Sequence, residues 1–329
     1  MVWQAVERSK VFPGYHAQSE VIITEEAARA LLDRSNPYAV SYADGPLVAR
    51  PAGVQEHFAY PPAMIAFGLP RALDGRSALA DARVAFSAVT IVVAGLALAI
   101  LGRRFARPLR VFQTLAVLPT GAALLSGGAH VMPVLALMLL ALALADRGRP
   151  LAAGLAAGVA CALVPLALPL VPFLAAAARE DSGRPGWRWV LAGWAVPLAV
   201  VVPFLVWDPA ALLEDAVRYP LGVAGQATTA QGPTLGRLLS DVVPAGVLVA
   251  VMLVLTVGWT ALRLRRNPPR TAAGAAREAA VLLAAAVLLS PTGRLAYAVF
   301  PIDLAVWAWA LGSRSVDVPR TPDRTRRRP

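Results

Sequence analysis

Charge, cysteine and histidine are all scarce in this chain. Charged residues make up 16% of its 329 positions, against about 25% in an average soluble domain. Cys161 is the one cysteine, and the three histidines (His16, His57 and His130) are scattered. A single thiol excludes a disulfide framework within the chain, and the histidine spacing fits no metal site. We therefore expect no metal and no cofactor.

Lysine is absent apart from Lys10, so thirty of the 31 basic residues are arginine. They give a formal net charge of +11, but they stand in short clusters between apolar runs. Clusters that flank hydrophobic stretches are typical of the cytoplasmic loops of membrane proteins. This placement argues against a nucleic-acid partner. The sequence also lacks a GxxxxGK loop and a GxGxxG fingerprint, which disfavours a nucleotide-sugar site.

Long apolar runs are what the sequence has in quantity, since 57% of its residues are hydrophobic and its mean hydropathy is +0.60. A helix needs about 20 apolar residues to cross a bilayer. We expect an all-α fold, a polytopic transmembrane helix bundle of about 8–10 membrane segments, in the plasma membrane and in contact with its lipids. The candidate spans are 84–101, 110–125, 130–145, 151–178, 189–207, 242–262, 278–290 and 295–312.

The arginine clusters also predict which loops share a side. With the basic loops on the cytoplasmic side, the proline-interrupted segment 151–178 must be a hairpin or re-entrant pair rather than one crossing. Residues 1–60 are polar and contain no signal peptide. An outer position for them therefore needs a first transmembrane helix upstream, and the alternative is that they are cytoplasmic. The predicted division is an extracytoplasmic loop with juxtamembrane helices at 1–83, a transmembrane domain at 84–312 with an outer loop at 208–241, and a basic cytoplasmic tail at 313–329.

The stretch 20–35 predicts an amphipathic helix ahead of the first complete span. Ile23, Ala27 and Leu31 share its apolar side, and Glu25 is expected as a surface charge. The apolar stretch 61–73 follows a loop and is too short to cross a membrane. We therefore expect two juxtamembrane elements in this part of the chain.

Short motifs recur in a fixed order along the chain: NPY at 36–38, FAYPP at 58–62, a Gly-Gly turn at 127–128, GPTLGRLL at 232–239 and SPTGRLAY at 290–297. In this order the chain resembles the GT-C superfamily of integral membrane glycosyltransferases. Within it, the chain is most similar to glycosyltransferase family 87, of the polyprenyl-phosphate-mannose-dependent, mannosyltransferase-like, actinobacterial type. The resemblance implies a GT-C fold and transfer of a sugar, with inversion, from a polyprenyl-phosphate-linked donor. It implies a cell-envelope lipid or glycan acceptor on the extracytoplasmic face.

The resemblance also implies a catalytic base. The family has an aspartate in the first outer loop ahead of its NPY-like motif, and Glu20 holds that position here. Glutamate has the same carboxylate on a stem one methylene longer, so it can still take a proton from an acceptor hydroxyl. A solvated surface acid is the structural alternative, and Glu25, Glu26 and Asp33 are the next candidates for the base. The lysine that the family tends to carry in the span matching 151–178 is missing.

Seven further residues are candidates for binding the donor or acceptor. Arg294 lies just ahead of the last span and suits bidentate contact with the donor phosphate; an arginine that snorkels to the interface is its alternative. His57 and Tyr60 also fit an interfacial aromatic cluster, and Asn36 and Tyr38 also fit turn and packing roles. The set is Asn36, Tyr38, His57, Tyr60, His130, Arg294 and Tyr297.

Two other functions compete with the enzyme. The glutamate at position 20 also fits a non-catalytic membrane subunit of GT-C fold. Asp303, a charge within the last apolar run, together with the proline-interrupted segment 151–178, also fits a small-solute or lipid transporter. Replacing Glu20 with Gln separates the enzyme from both alternatives, since it abolishes sugar transfer if Glu20 is the base, whereas a transporter would be sensitive to Asp303→Asn and indifferent to the change at Glu20. The sequence assigns no role to Asp303.

Overall fold

The computed structural model describes residues 18–43, 45–48, 52–75, 77–102, 124, 127–179, 183–225, 232–293 and 295–312. These residues form helices and no β-strand, which confirms the predicted all-α fold. The α-helices are α1 (Ser19–Leu32), α2 (Ala52–Glu56), α3 (Leu69–Leu73), α4 (Ala82–Leu101), α5 (Val131–Asp146), α6 (Pro150–Leu163), α7 (Leu170–Ala177), α8 (Trp187–Ala192), α9 (Ala195–Trp207), α10 (Pro209–Leu213), α11 (Tyr219–Leu221), α12 (Leu235–Leu239), α13 (Ala245–Arg266), α14 (Ala272–Leu289) and α15 (Val299–Gly312). The 3-10 helices are Pro62–Phe67, Ala78–Ala80, Pro165–Ala167 and Leu295–Ala298, and Glu214–Arg218 is π-helical.

Four of the described helical segments are long and apolar enough to cross a membrane: α4, the pair α8 and α9 taken together, α13, and α14. Shorter apolar helices lie at α5, at α6, at Pro165–Ala177 and at α15. These segments confirm the predicted polytopic helix bundle. The predicted span 110–125 falls outside the described residues except for Leu124.

Two predicted spans have different bounds in the structure. The span expected at 278–290 begins six residues earlier, at Ala272. Read from its C-terminal end, the apolar pattern reaches back only to Glu278, because a charged residue normally ends a membrane span. In the structure the Glu278 carboxylate is buried within the helix, since the guanidinium of Arg263 in α13 donates a hydrogen bond to it at 2.8 Å. The span expected at 295–312 divides into a 3-10 turn and α15, with Pro301 in the first turn of α15.

The predicted hairpin at 151–178 is confirmed by the way its ends meet. A Cβ atom on Gly186 would lie 2.6 Å from the Cβ of Pro150 and 3.5 Å from the carbonyl carbon of Ala178. Pro150 begins α6 and Ala178 follows α7, so the segment leaves one end of the bundle and returns to the same end. The sidedness of the loops, which depended on this hairpin, stays a prediction.

Small residues bring α6 and the helical segment 187–207 into backbone contact. A Cβ on Gly193 would lie 1.9 Å from the carbonyl oxygen of Gly154, and one on Gly158 would lie 2.1 Å from that of Gly193. Glycines spaced by four residues allow membrane helices to approach this closely. The contacts advance along both segments in the same direction, so the two segments run parallel.

One end of the apolar bundle is covered by a polar layer, which we define as the described residues of 18–81, 127–130, 208–225 and 290–293. Within it, α1 packs on the segment 62–73, where a Cβ on Gly68 would lie 2.1 Å from the carbonyl oxygen of Thr24. The buried side of α1 is formed by Val21–Glu25, Ala27 and Ala28, whereas the predicted apolar residue Leu31 is half-exposed. The polar layer holds most of the residues that the sequence singled out.

Candidate active site

Glu20 lies in the first turn of α1 and is half-buried. Its carbonyl oxygen accepts a hydrogen bond from Thr24 Oγ1 at 2.7 Å. A Cβ on Gly127 would lie 3.1 Å from the side-chain amide nitrogen of Gln18, the residue that precedes α1. The start of α1 therefore sits against the Gly-Gly turn that leads to His130.

Glu25 is not the surface charge that the sequence predicted. It is 2% exposed, and its Oε1 accepts the backbone N–H of Ala82 at 3.0 Å, in the first turn of α4. A carboxylate at a helix N-terminus satisfies an otherwise unpaired N–H and interacts favourably with the helix dipole. Glu25 therefore joins α1 to the first transmembrane helix of the described chain.

A second buried acid lies beside this contact. Asp81 caps α4 and accepts hydrogen bonds from the backbone N–H, Nε and Nη2 of Arg83, each at 2.9 Å. Both side chains are 1% exposed. A Cβ on Gly128 would lie 2.2 Å from Arg83 Cγ, and its φ of +72° suits glycine. The Gly-Gly turn of the sequence is thus fixed against this buried ion pair.

Three of the predicted binding residues, Tyr38, Tyr60 and His130, belong to one aromatic cluster with Phe58. The rings of Tyr38 and Tyr60 lie 5.5 Å and 5.6 Å from that of Phe58, and Tyr60 meets His130 edge-on at 4.7 Å. His57 directly precedes Phe58 in the chain. The structure therefore brings Tyr38, Tyr60 and His130 together in an aromatic cluster of the polar layer, and His57 is the chain neighbour of this cluster at Phe58.

The NPY motif shapes the backbone of this layer. Asn36 Oδ1 accepts the backbone N–H of Tyr38 at 3.1 Å, which is an Asx turn. The hydroxyl of Tyr38 donates to the carbonyl of Tyr60 at 2.8 Å, and that of Tyr42 donates to the carbonyl of Pro37. Burial, and then the nearby charge of Asp215, hold the pKa of both tyrosine hydroxyls above the ordinary value. These hydroxyls are therefore structural donors in the neutral form.

His57 has a partner 158 residues further along the chain. Its Nδ1 lies 2.6 Å from Asp215 Oδ1, and the other carboxylate oxygen accepts the backbone N–H of Phe58 at 2.8 Å. The side chains of His57 and Asp215 are 10% and 4% exposed. The ring of Tyr219 stacks on the imidazole with centroids 4.3 Å apart. An imidazole held by a carboxylate in this way is a common arrangement for proton transfer or for hydrogen bonding to a ligand.

Burial raises the pKa of the Asp215 carboxyl to about 6, and the hydrogen bonds from His57 and from the Phe58 N–H limit the rise. The nearby Glu214 adds to it. Perturbed carboxyl groups with a specific partner are concentrated at functional sites, although structural networks produce them too. Asp215 is therefore a candidate functional residue because of its contacts with His57 and Phe58, and its raised pKa agrees with that assignment.

Asp215 and Tyr219 are two residues of this site that the sequence motifs do not predict. Leu212, Asp215 and Tyr219 stand at i, i+3 and i+7, and each is at most 4% exposed. This spacing places the three on one helical face. Beside Glu214 and Arg218, however, Asp215 looks like one more surface acid, and only the spacing would have indicated otherwise.

The remaining predicted residues lie near the last helix. Arg294 lies outside the described residues, and Tyr297 is in the 3-10 turn that precedes α15. Asp303 is buried in α15, and neither its Oδ2 nor the Nε1 of Trp307, one turn later, has a hydrogen-bond partner in the described part of the chain. The described residues contain no group of three or more His, Cys, Asp or Glu side chains that could hold a metal ion.

An apolar groove runs between α14 and α15. A cavity of about 550 Å³ opens beside the loop Gly232–Thr234 and is lined by small and branched apolar side chains such as Ala284 and Ile302. A second cavity of about 480 Å³ shares Ala280, Val281 and Ala305 with the first and continues to Thr271 and Gly312. Together they form a groove along nearly the whole length of the helix pair.

The family model of glycosyltransferase family 87 matches residues 58–291 of the chain. The chain belongs to glycosyltransferase family 87. This confirms the family that the sequence motifs predicted. The matched region contains FAYPP and GPTLGRLL, and it includes Asp215 and Tyr219. Glu20 and His57 lie ahead of its first residue.

Among solved structures, the chain is similar to that of a longer protein, ArnT from Cupriavidus metallidurans in the apo state. The two are 20% identical, with a TM-score of 0.48. The similarity covers 90% of this chain and 55% of ArnT, so the family-87 chain spans about half the length of that protein. None of the curated protein sequences matches the chain.

Proposed function

We propose that this family-87 protein transfers a sugar, mannose, from a polyprenyl-phosphate-linked donor to a cell-envelope lipid or glycan. Transfer occurs with inversion, on the extracytoplasmic face of the plasma membrane, and the polar layer faces that side. The observation that carries the proposal is the family match over residues 58–291. The four long apolar helical segments and the polar layer at one end of the bundle agree with it.

Glu20 is the proposed general base. A sugar hydroxyl has too high a pKa to attack unaided, so a carboxylate takes its proton as the new glycosidic bond forms. The phosphate leaves as a stabilised anion and needs no proton. Glu20 is outside the transmembrane helices, half-buried in the first turn of α1. Glu25, by contrast, is committed to the N–H of Ala82, so it is a weaker candidate.

The groove between α14 and α15 is the proposed site of the donor's lipid chain. An 18-residue helix such as α14 is roughly 27 Å long, which is close to the thickness of the apolar part of a bilayer. The groove is apolar, and small alanine side chains leave room along it. Its open end at Gly232–Thr234 is tied to the polar layer, because Thr234 Oγ1 donates to the carbonyl of Ser290 at 2.7 Å.

The test is sugar transfer by the purified chain in lipid nanodiscs, supplied with radiolabelled polyprenyl-phospho-mannose and an extract of envelope lipids. We expect Glu20→Gln to lower the rate of label transfer by roughly a factor of 10² to 10⁴, the usual contribution of a general base. Asp241→Asn is the control, because Asp241 is an acid whose side chain is 71% exposed and is not a candidate for the base.

Equal transfer by wild type and Glu20→Gln would move the base elsewhere, with Glu25, Glu26 and Asp33 as the next candidates. Absence of transfer by a folded wild-type protein would reject this donor. Hydrolysis of the donor without transfer to any lipid would reject the proposed acceptor class and keep the donor.

A further inference from the structure

Two buried polar atoms at the His57–Asp215 contact have no hydrogen-bond partner in the described part of the chain. They are His57 Nε2 and Tyr219 Oη, on rings that stack at 4.3 Å. Buried polar atoms are nearly always hydrogen-bonded in folded proteins, and each exception needs an explanation. Two such atoms on adjacent rings point to a ligand that supplies the missing partner.

The chemistry of these atoms selects the kind of ligand. A carboxylate 2.6 Å from His57 Nδ1 favours the tautomer in which Nδ1 donates to Asp215 Oδ1, and in that tautomer Nε2 is an acceptor. The Tyr219 hydroxyl can donate and accept. An acceptor on one of two stacked rings and a donor on the other are complementary to a hydroxyl group, which can donate to Nε2 and accept from Oη.

The surrounding charge argues against an anionic ligand here. Asp215 is 3% exposed and adjoins Glu214. The guanidinium of Arg218 is exposed and pairs with Glu214 at 3.3 Å. A phosphate at His57 Nε2 would therefore meet two acids, whereas a neutral hydroxyl would not.

The position of the pair within the fold supports a ligand site. Asp215 belongs to the π-helical segment 214–218, and π-helical turns are frequent at functional sites. The next residue after Tyr219 accepts a hydrogen bond, since Thr292 Oγ1 donates to the carbonyl of Pro220 at 2.6 Å. Gly293, adjacent to Thr292, in turn accepts the N–H of Gly232 at the open end of the α14–α15 groove. Two hydrogen bonds, Thr292 to Pro220 and Gly232 to Gly293, therefore connect the segment that carries Tyr219 to the open end of the proposed lipid site.

We propose that His57 Nε2 and Tyr219 Oη bind a hydroxyl group of the donor sugar, with Asp215 as the positioning residue that fixes the imidazole tautomer. This inference rests on the proposed function, because it assigns the sugar of a donor whose lipid chain occupies the groove. It makes the pair a determinant of sugar specificity, separate from the base Glu20.

Tyr219→Phe is the most informative variant, because it removes one oxygen and keeps the stacked ring. A purely structural tyrosine whose hydroxyl has no partner loses nothing by this change, so Tm stays the same or rises. If the hydroxyl binds the sugar, the KM for labelled polyprenyl-phospho-mannose rises about tenfold, the effect of one lost hydrogen bond. A tenfold rise in KM together with an unchanged or higher Tm is the expected result.

His57→Asn and His57→Gln form a matched pair. The asparagine amide takes the place of Nδ1 against Asp215 and leaves nothing at Nε2, whereas the glutamine amide extends towards the Nε2 position. We expect about a tenfold rise in KM for the Asn variant, as for one lost hydrogen bond, and a smaller rise for the Gln variant. If both variants and Tyr219→Phe keep the wild-type KM, the sugar site is overturned while the proposed function stands.

A binding measurement distinguishes failure of the proposed sugar site from failure of the proposed transfer reaction. Octyl α-mannoside, added below its micellar concentration to protein in nanodiscs, should raise the Tm of the wild type and not that of Tyr219→Phe. If the mannoside stabilises in this Tyr219-dependent way but the wild type transfers no label, the sugar site stands and the proposed donor reaction fails. Equal shifts in both proteins, no shift in the wild type, or Tyr219-dependent stabilisation by inorganic phosphate instead would each overturn the hydroxyl site.

Discussion

The polar layer and the α6–α8 contact hold the molecule together by opposite means. In the polar layer, buried charges are matched to specific donors, as Asp81 is to Arg83 and Glu25 is to the first turn of α4. At the α6–α8 contact, Gly154 and Gly193 have no side chains, and the backbones themselves touch. The packing of the polar layer depends on charged groups that have specific partners, whereas the packing of the α6–α8 contact depends on glycines that have no side chain. Each therefore fails under a different kind of substitution.

Breaking the Asp81–Arg83 pair is expected to have the largest effect. Arg83→Met leaves the Asp81 carboxylate buried without its guanidinium, and loss of one partner of a buried pair costs about 3–5 kcal/mol. We expect a correspondingly large fall in the free energy of unfolding, measured by denaturant titration in nanodiscs. Adding Asp81→Asn to Arg83→Met should recover part of the loss, since it removes the unpaired charge and keeps an oxygen that can cap α4.

The control for this prediction is a pair at the surface of the same layer. Arg29 and Glu26 are in contact at 2.6 Å, but their side chains are 45% and 18% exposed. Such a pair contributes about 0.2–1 kcal/mol, so Glu26→Gln should change stability little. Similar losses for Arg83→Met and Glu26→Gln would show that burial does not distinguish the two pairs.

Gly193→Ala should have a smaller, but still clear, effect. Its new Cβ would lie 1.9 Å from the carbonyl oxygen of Gly154, so the two segments must separate. Overpacking of this kind costs about 1–3 kcal/mol. Gly258→Ala is the matched control, because Gly258 lies in the membrane helix α13 with nothing within 4 Å of a Cβ. Thermal unfolding of both variants in nanodiscs checks the difference; a Gly193→Ala protein as stable as Gly258→Ala contradicts the close contact.

The membrane helices, including those of the α6–α8 contact, were easier to predict from the sequence than the contacts of the polar layer. A membrane helix must be long and apolar whatever it contacts, so composition alone found the segments at 84–101, 130–145 and 189–207. Charge placement then predicted the hairpin at 151–178. None of these inferences needs knowledge of which residues meet in space.

The buried charges of the polar layer could not be predicted in this way. Glu25 is buried because of a backbone N–H 57 residues away, and His57 is held by a carboxylate 158 residues away. Hydrophobic periodicity describes one helix at a time and carries no information about such partners. The aromatic residues of FAYPP were found because large rings are recognisable in isolation, whereas Asp215 looks like any other acid on a helix surface.

The pH dependence of stability provides the finest comparison within the polar layer. Burial raises the pKa of Asp215 from 3.8 to about 6, so between these values the folded protein binds a proton that the unfolded chain has released. The free energy of unfolding therefore decreases as pH rises through this window, by at most about 1.4 kcal/mol per pH unit for one group. Asp215→Asn should remove the part of this slope that Asp215 contributes, while Asp241→Asn, at an acid that is 71% exposed, should leave the slope in place. The measurement is Tm as a function of pH between pH 4 and 7 for the wild type and both variants. Parallel curves for wild type and Asp215→Asn would contradict the prediction, because they would mean that this carboxyl has the same pKa in the folded and the unfolded protein. A slope lost only in Asp215→Asn would make the buried acid, and not the many exposed ones, the source of the pH dependence.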